Sequence, residues 1–412
     1  MRYLLVDATG DDRIYPVALL RIGAWLRATG HEVHCIADTP WFPPLPDSVP
    51  IGRGEDGSPI LGHCMLPDEG TYDHVFITTR FTYEYRRVVH IAKLCKKIAR
   101  VGVTVGGIMP TVMPGILEGL GVKVHAGLLH GVDEVPLDYS FLEKHPPYSS
   151  VITSRGCPRN CEFCVVSKME GTRMVPRSLS VIEQEICSFV PKVVVYDSNF
   201  LANTSKHING VLEVLHQAWA RRVVNEIDFN QGLDSRFYRR DKAVAKALSK
   251  IPAVKMLRFA WDWSSPGVFG EDDIVESVRL AASLGHTRIT VYMLYNHADS
   301  PEFLYHRLRR MVELSAALNI QITSFPMKYE PITLGKPRGT YFGPHWCQKY
   351  EKGLRRLMSR SFGAKTANGQ VSIFSLPVFS DIFGRSPEEF VKKIGGLEKS
   401  LDKKIKRRYH TL

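Results

Sequence analysis

Along the first 130 residues, short apolar runs alternate with longer stretches of helical apolar spacing. The runs Tyr3 to Val6, Glu32 to Ile36, His74 to Thr78, Val101 to Val105 and Val122 to Leu128 predict strands. Between them, Val17 to Ala28 and about Tyr83 to Ala99 predict amphipathic helices. Strands separated by helices predict a parallel, doubly wound sheet, whose ligands sit beyond the carboxyl ends of the strands. Those ends read Asp7-Ala8-Thr9-Gly10, Thr79-Arg80-Phe81 and Gly106-Gly107-Ile108-Met109-Pro110-Thr111. The pattern breaks at residues 40–72, where prolines and glycines crowd in and exclude a long helix or a central strand. A stretch of that length predicts a surface insertion of the lid or binding-loop kind.

From Gly131 to Tyr148 the chain is acidic and proline-bearing, with Asp133, Glu134, Pro136, Asp138, Pro146 and Pro147, which predicts a linker over 131–148. A second alternating series follows. Its strands are expected near 150–154, 192–197, 225–229, 255–260, 288–294 and 320–325. Its helices are expected near 179–189, 206–221, 240–250, 271–284 and 302–318. Beyond Pro331 lie a helix from Trp346 to Ser361, short elements at Val378 to Phe383 and Pro387 to Ile394, and the basic tail Lys403 to Arg408. The predicted organisation is therefore 1–130, 131–148, 149–330 and 331–412, the last a basic extension.

Composition changes this picture little. With 412 residues, 44% hydrophobic and 23% charged, the chain has the make-up of an ordinary soluble globular protein. No run of eighteen apolar residues occurs, so no membrane span is expected, and Met1 to Asp7 reads as a buried strand rather than a signal peptide. The net charge of +12 fits an anionic partner, nucleic acid included, and fits solvated helix faces equally well. Eight cysteines, three of them clustered, do not make a disulfide framework in a chain this long; a reducing, cytoplasmic setting is expected.

The cluster is Cys157-Pro158-Arg159-Asn160-Cys161-Glu162-Phe163-Cys164, straight after the strand Ser150 to Ser154 and a turn at Arg155-Gly156. Three thiolates on one tight loop suit three irons of a cubane cluster and leave the fourth iron open. A structural zinc site wants four protein ligands, and no fourth cysteine or histidine stands beside this loop. The stretch, Phe163 included, resembles the signature of the radical S-adenosylmethionine superfamily. That resemblance implies a partial (β/α)6 barrel with the loop after its first strand, and a 4Fe–4S cluster on Cys157, Cys161 and Cys164. It also implies S-adenosylmethionine chelated to the open iron, reductive cleavage to a 5′-deoxyadenosyl radical, and an electron donor such as flavodoxin or ferredoxin.

The first domain resembles the Rossmann-like, cobalamin-binding domain of one large subfamily. The match is carried by domain order and by Val105-Gly106-Gly107-Ile108-Met109-Pro110-Thr111-Val112-Met113-Pro114. It implies cobalamin at the Gly106-Gly107 turn, with Met109 standing where the subfamily often has histidine. In the barrel, Asp197-Ser198-Asn199 stands where the superfamily usually has Gly-Gly-Glu, implying a grip on the amino group of S-adenosylmethionine. Asn230, Gln231, Asp234 and Arg236 offer ribose and carboxylate contacts, and Asp262 sits between Trp261 and Trp263 for adenine or substrate. Each of these polar residues reads equally well as a helix N-cap or a surface pair. His345-Trp346-Cys347 reads as packing before it reads as a second metal or radical site.

The expected function is reductive cleavage of S-adenosylmethionine serving cobalamin-dependent methylation or a related radical modification. Two alternatives stand beside it. One is methylthiotransferase-type modification of RNA or protein, with Cys35, Cys64 and Cys95 as a second cluster set; the other is a non-catalytic, cluster-bearing module that binds nucleic acid.

Overall fold

A computed structural model describes residues 1–8, 15–36, 68–142, 145–262, 270–333, 339–360 and 375–396. The expected insertion over 40–72 falls almost wholly outside the described residues, as do Thr9, Gly10, Cys64, Trp263 and the basic tail. The chain divides into two compact units. One comprises Met1–Val193 with Pro331–Arg338; the other comprises Val194–Glu330 with Gly339–Leu412.

The first unit opens with β1 (Arg2–Asp7), α1 (Val17–Ala28), β2 (Glu32–Ile36), β3 (Tyr72–Thr79), α2 (Tyr85–Ile98), β4 (Ala99–Gly107), α3 (Ile108–Val112) and β5 (Lys123–Val124). The strands form one sheet in the order β2-β1-β3-β4-β5, with every pair parallel. This is the doubly wound sheet that the alternation predicts. The order reverses between β1 and β3, so the crevice for a ligand opens beyond their carboxyl ends.

Strand alternation sorts side chains onto two faces. Leu4 and Val6 of β1 join Val88, Ile91, Ala92, Cys95 and Ile98 of α2 in one buried cluster. Tyr3 and Leu5 join Leu19, Leu20 and Leu26 of α1 in another. Gly23 lets Phe141 lie against α1, because a Cβ there would collide with the Phe141 ring. Leu137 and Phe141, from the stretch expected to link domains, are thereby buried in the α1 cluster.

The fifth strand is shorter than the expected Val122 to Leu128. Gly121 and Gly127, both at positive φ, bracket it, and the Gly127 N–H turns away to the Thr111 hydroxyl at 2.9 Å.

The unit continues with β6 (Ser149–Val151), β7 (Ser154–Arg155), α4 (Val166–Met169), β8 (Val175–Pro176) and α5 (Leu179–Gln184), and the division between the units falls within β9 (Lys192–Val195). The strand expected over 150–154 is thus broken in two. Arg177 accounts for the break: it donates to the Ile152 carbonyl at 2.5 Å, and its own N–H donates to the Thr153 carbonyl at 2.9 Å. The helix expected over 179–189 also stops early, so Cys187 is not helical. Glu185 turns inward to Arg177 at 2.9 Å, and the Cys187 N–H donates to the Ser149 hydroxyl at 2.9 Å.

The second unit contains α6 (Ser205–Ala220), β10 (Glu226–Asp228), α7 (Ser235–Arg240), α8 (Lys242–Ser249), β11 (Leu257–Ala260), α9 (Glu271–Ser283), β12 (Arg288–Tyr295), α10 (Pro301–Leu318) and β13 (Gln321–Lys328). The expected helix over 240–250 is α8, and the short α7 precedes it; Asp241 separates the two and caps α8 by accepting from the Val244 N–H at 3.0 Å. Strands β11, β12 and β13 pair in parallel. Helices Gln348–Arg360, Leu376–Phe383 and Pro387–Ile394 complete the unit. Among the described residues, no helix is long and apolar enough to cross a membrane.

Candidate functional site

The cysteine loop begins with Gly156, whose φ of +89° lies in the left-handed region. A Cβ at this position would collide with the Arg173 carbonyl oxygen, so only glycine makes the turn. The Cys157 N–H then donates to the Gly171 carbonyl at 3.2 Å, tying the start of the loop to its end. Within the loop, the Cys164 N–H closes a tight turn onto the Cys161 carbonyl at 3.0 Å. Cys157, Cys161, Phe163 and Cys164 are all half-buried, accessible enough to take up a cluster. Among the described residues, no three His, Cys, Asp or Glu side chains are grouped closely enough to hold a metal ion. The donor set itself fits an open-iron 4Fe–4S cluster: three soft thiol ligands within eight residues, on a loop closed at its stem.

Beneath the loop lies a charge network that the sequence did not announce. The Glu170 carboxylate accepts from the Gly156 N–H at 2.9 Å and from Arg155 at 3.0 Å. Arg155 donates its other edge to Asp133 at 2.9 Å, and Arg21 reaches the same Asp133 oxygen at 2.9 Å. Arg21 and Arg177 both converge on Glu185, at 2.6 and 2.9 Å. Burial pushes the Asp133 carboxyl up, but Arg155, Arg21 and Arg177 outweigh it and hold the group below its ordinary value. Burial lowers the Arg21 guanidinium, with Glu185 opposing it. No spacing rule could have found these six residues; the weak signal was an arginine inside the apolar stripe of α1.

At the carboxyl edge of the five-stranded sheet, Asp7 ends β1, and its buried carboxylate pairs with Arg80 at 2.7 Å across the β1–β3 reversal point. Gly106 and Gly107 end β4 one strand away. Gly107, with φ of +104°, cannot carry a Cβ because the Thr79 carbonyl oxygen stands in its place. Met109 is wholly buried among Leu4, Val6, Val75 and Val105, and is therefore a core residue rather than a ligand. The edge fits a cofactor held through backbone and polar contacts, with no side-chain ligand from position 109.

In the second unit the strand-end residues gather. The Asp234 carboxylate is held in a two-pronged pair by Nε and Nη2 of Arg236, at 2.7 and 2.8 Å, and accepts from Asn199 at 3.2 Å. Asp234 also caps α7 by accepting from the Arg236 N–H, so the N-cap and site readings share one residue. Asp197 and Asn199 are buried and Ser198 is half-buried. Burial pushes the Asp262 carboxyl up against the opposing charge of Arg307, and Arg236 and Asp234 are near enough to act on it too. Gln231 is exposed, and among the described contacts nothing ties it to this group. Asp228 is engaged elsewhere, by Nε and Nη2 of Arg258 at 2.6 and 2.7 Å. Trp346 packs on Tyr295 at 4.9 Å and donates to the Asp299 carbonyl at 3.0 Å, the packing role expected of it.

The cysteines proposed for a second cluster are separated. Cys95 lies in the cluster on the α2 face of the sheet, and Cys35 packs into the one on the α1 face. Burial pushes both thiols up to about 12, the behaviour of inert structural cysteines.

No family model matches the chain. A stretch of 135 residues is 27% identical to an uncharacterized methyltransferase from Pyrococcus horikoshii, covering 30% of this chain and 28% of that protein. The radical S-adenosylmethionine methyltransferase TsrM from Kitasatospora setae, solved with cobalamin and a 4Fe–4S cluster, superposes with a TM-score of 0.54 at 15% identity. That match covers 95% of this chain and 84% of TsrM. A second TsrM structure, with tryptophan and an S-adenosylmethionine analogue bound, gives the same TM-score and identity over 95% and 82%. In fold, the chain is similar to TsrM over nearly its whole length.

Proposed function

We propose that the chain is a radical S-adenosylmethionine enzyme that methylates or otherwise modifies its substrate with the help of cobalamin. The observation that carries this reading is the three-cysteine loop, closed at a glycine turn that admits no side chain, in a chain whose fold matches TsrM over 95% of its length. Cys157, Cys161 and Cys164 would hold the cluster as thiolates. Asp197, Ser198 and Asn199 would receive the amino group of S-adenosylmethionine, and the Asp234–Arg236 pair would meet its ribose and carboxylate as one unit. Asp262 would face adenine or substrate, with Gln231 supplying a solvent-side contact. The reversal point of the five-stranded sheet, with Gly106 and Gly107, would seat cobalamin without a side-chain ligand from Met109. Bound there, these groups supply an electron for cleavage of the sulfonium C–S bond and a methyl group for transfer. The assignment of 1–130 as cofactor domain and 149–330 as barrel belongs to the same proposal.

The experiment is metal per chain after anaerobic reconstitution with iron, sulfide and cobalamin and removal of excess. About four irons and about one cobalt are expected. Cys161→Ala should bring iron to background; a replaced protein with intact cluster absorbance would overturn the reading. Iron without cobalt would move the enzyme to a cobalamin-independent radical reaction.

A further inference from the structure

The loop that carries the three cysteines hangs from a short stem. Strands β7 and β8 pair antiparallel through Ser154↔Pro176 and Arg155↔Val175 alone. Two residue pairs are too few to hold a hairpin in water without help. Help comes from the side chains on the stem itself. Arg155 belongs to β7, and Arg177 follows directly after β8. Both arginines enter the buried network, Arg155 through Asp133 and Glu170, Arg177 through Glu185 at 3.0 and 2.9 Å.

Arg21 closes the circuit. It rises from α1, more than a hundred residues before the loop, and bridges Asp133 and Glu185. Arg21, Arg177 and Glu185 are almost wholly buried. Three guanidinium groups face three carboxylates, so the assembly is formally neutral. Removing Arg21, Arg177 or Glu185 leaves an opposite charge short of a partner in a place water hardly reaches. Arginine suits the task because its planar fork bridges two carboxylates at once, whereas a lysine ammonium presents a single point of charge.

We propose that Arg21, Asp133, Arg155 and Glu170 form a positioning relay through which the first helix of the N-terminal sheet fixes the conformation of the cysteine loop. This rests on the reading of that loop as the cluster site. Glu170 is the terminal member: one oxygen holds Arg155 and the other holds the Gly156 N–H, immediately before Cys157. The N-terminal sheet therefore does more than seat a cofactor; it also sets the cysteine loop.

The test compares the full-length wild-type chain with Glu170→Gln, Arg21→Met, Arg155→Lys and, as a control on the same helix, Arg27→Met. Hydrogen exchange on the iron-free proteins is the first readout. Exchange over residues 156–171 should quicken about tenfold or more in the three network variants, while β12 and β13 stay protected and Arg27→Met matches wild type. Unchanged exchange over 156–171 in Glu170→Gln and Arg155→Lys overturns the proposal. If Arg21→Met also loses protection in β12 and β13 it has unfolded, and the half-buried Glu170→Gln decides.

The second readout is the reconstituted cluster. Glu170→Gln and Arg155→Lys should bind iron through the same cysteines, lose it faster on gel filtration, and show a broadened or shifted electron paramagnetic resonance signal. Wild-type signals and retention in both variants overturn the positioning role even if exchange changes. Wild-type protein that takes up no iron overturns the cluster reading instead, and the exchange measurement still decides whether the relay orders the loop.

Discussion

The two units each bury arginine at the ends of strands, and they satisfy it with different shares of backbone and carboxylate acceptors. In the second unit, Arg307 of α10 is fully buried and donates to the Trp261 and Leu294 carbonyls, both at 2.9 Å, and to Asp299 at 3.1 Å. Its partners are mainly backbone, drawn from the ends of β11 and β12. In the first unit, Arg21, Arg155 and Arg177 are answered mainly by three carboxylates from separate segments, with Arg177 also reaching the Asp133 and Ile152 carbonyls. An arginine fed by carbonyls pins a helix on a sheet whose strands are already in place. An arrangement fed by carboxylates joins segments that the backbone alone leaves unconnected. The first arrangement is a device for stability, the second one for loop geometry.

The sharpest way to break that contrast is Arg307→Met. It should cost about 3–5 kcal/mol, because a buried carboxylate and two carbonyls lose their donor together. Urea unfolding would measure it, and below the lowered midpoint exchange over 156–171 should match wild type. A specific loosening of the cysteine loop would dissolve the distinction between the two arginine sites.

Met109→Ala supplies a control without charge. Deleting this wholly buried side chain should cost about 2–5 kcal/mol by leaving a cavity under the five-stranded sheet. Cobalt per chain and exchange of the cysteine loop should both stay at wild-type values. Loss of cobalt on this change would show that position 109 does more than pack.

Asp234→Ala probes the second unit at a gentler level. Loss of the α7 N-cap should cost about 0.5–2 kcal/mol in thermal unfolding. If Asp234 and Arg236 meet S-adenosylmethionine as a pair, its affinity should fall by more than that loss of stability explains. A fall in stability with unchanged affinity would reduce Asp234 to a cap.

The smallest effect is in acid. The folded carboxyl of Asp133 sits below its ordinary value of 3.8. A depressed carboxyl contributes stability that is present above the unfolded value and is lost as pH falls through the folded one. Exchange over 156–171 should therefore quicken below about pH 4 in wild type, and Asp133→Asn should flatten that dependence. An identical acid profile in the variant would remove Asp133 from the account.

Much of the fold was legible in the chain because period is local. The alternation in β1 and the spacing of α2 place Leu4, Val6, Val88 and Ile91 on facing surfaces without knowledge of anything distant. The cysteine motif was legible for the same reason, since its chemistry lies within eight residues. Boundaries went astray where a distant side chain decided them. Arg177 breaks the strand after Val151, and Glu185 stops α5 before Cys187.

By itself the sequence determined the alternating architecture, the three-thiol loop, and the turn at Arg155-Gly156 before it. Tertiary structure alone decided that Met109 packs in the core, that Cys35 and Cys95 lie on opposite faces of a sheet, and that Arg21 belongs to the same network as Glu170. Periodicity and motif spacing are read between neighbours along the chain. Burial and ion pairing are settled between residues that meet only after the chain has folded, and a carboxylate in a proline-bearing stretch looks the same in sequence whether it faces water or three arginines.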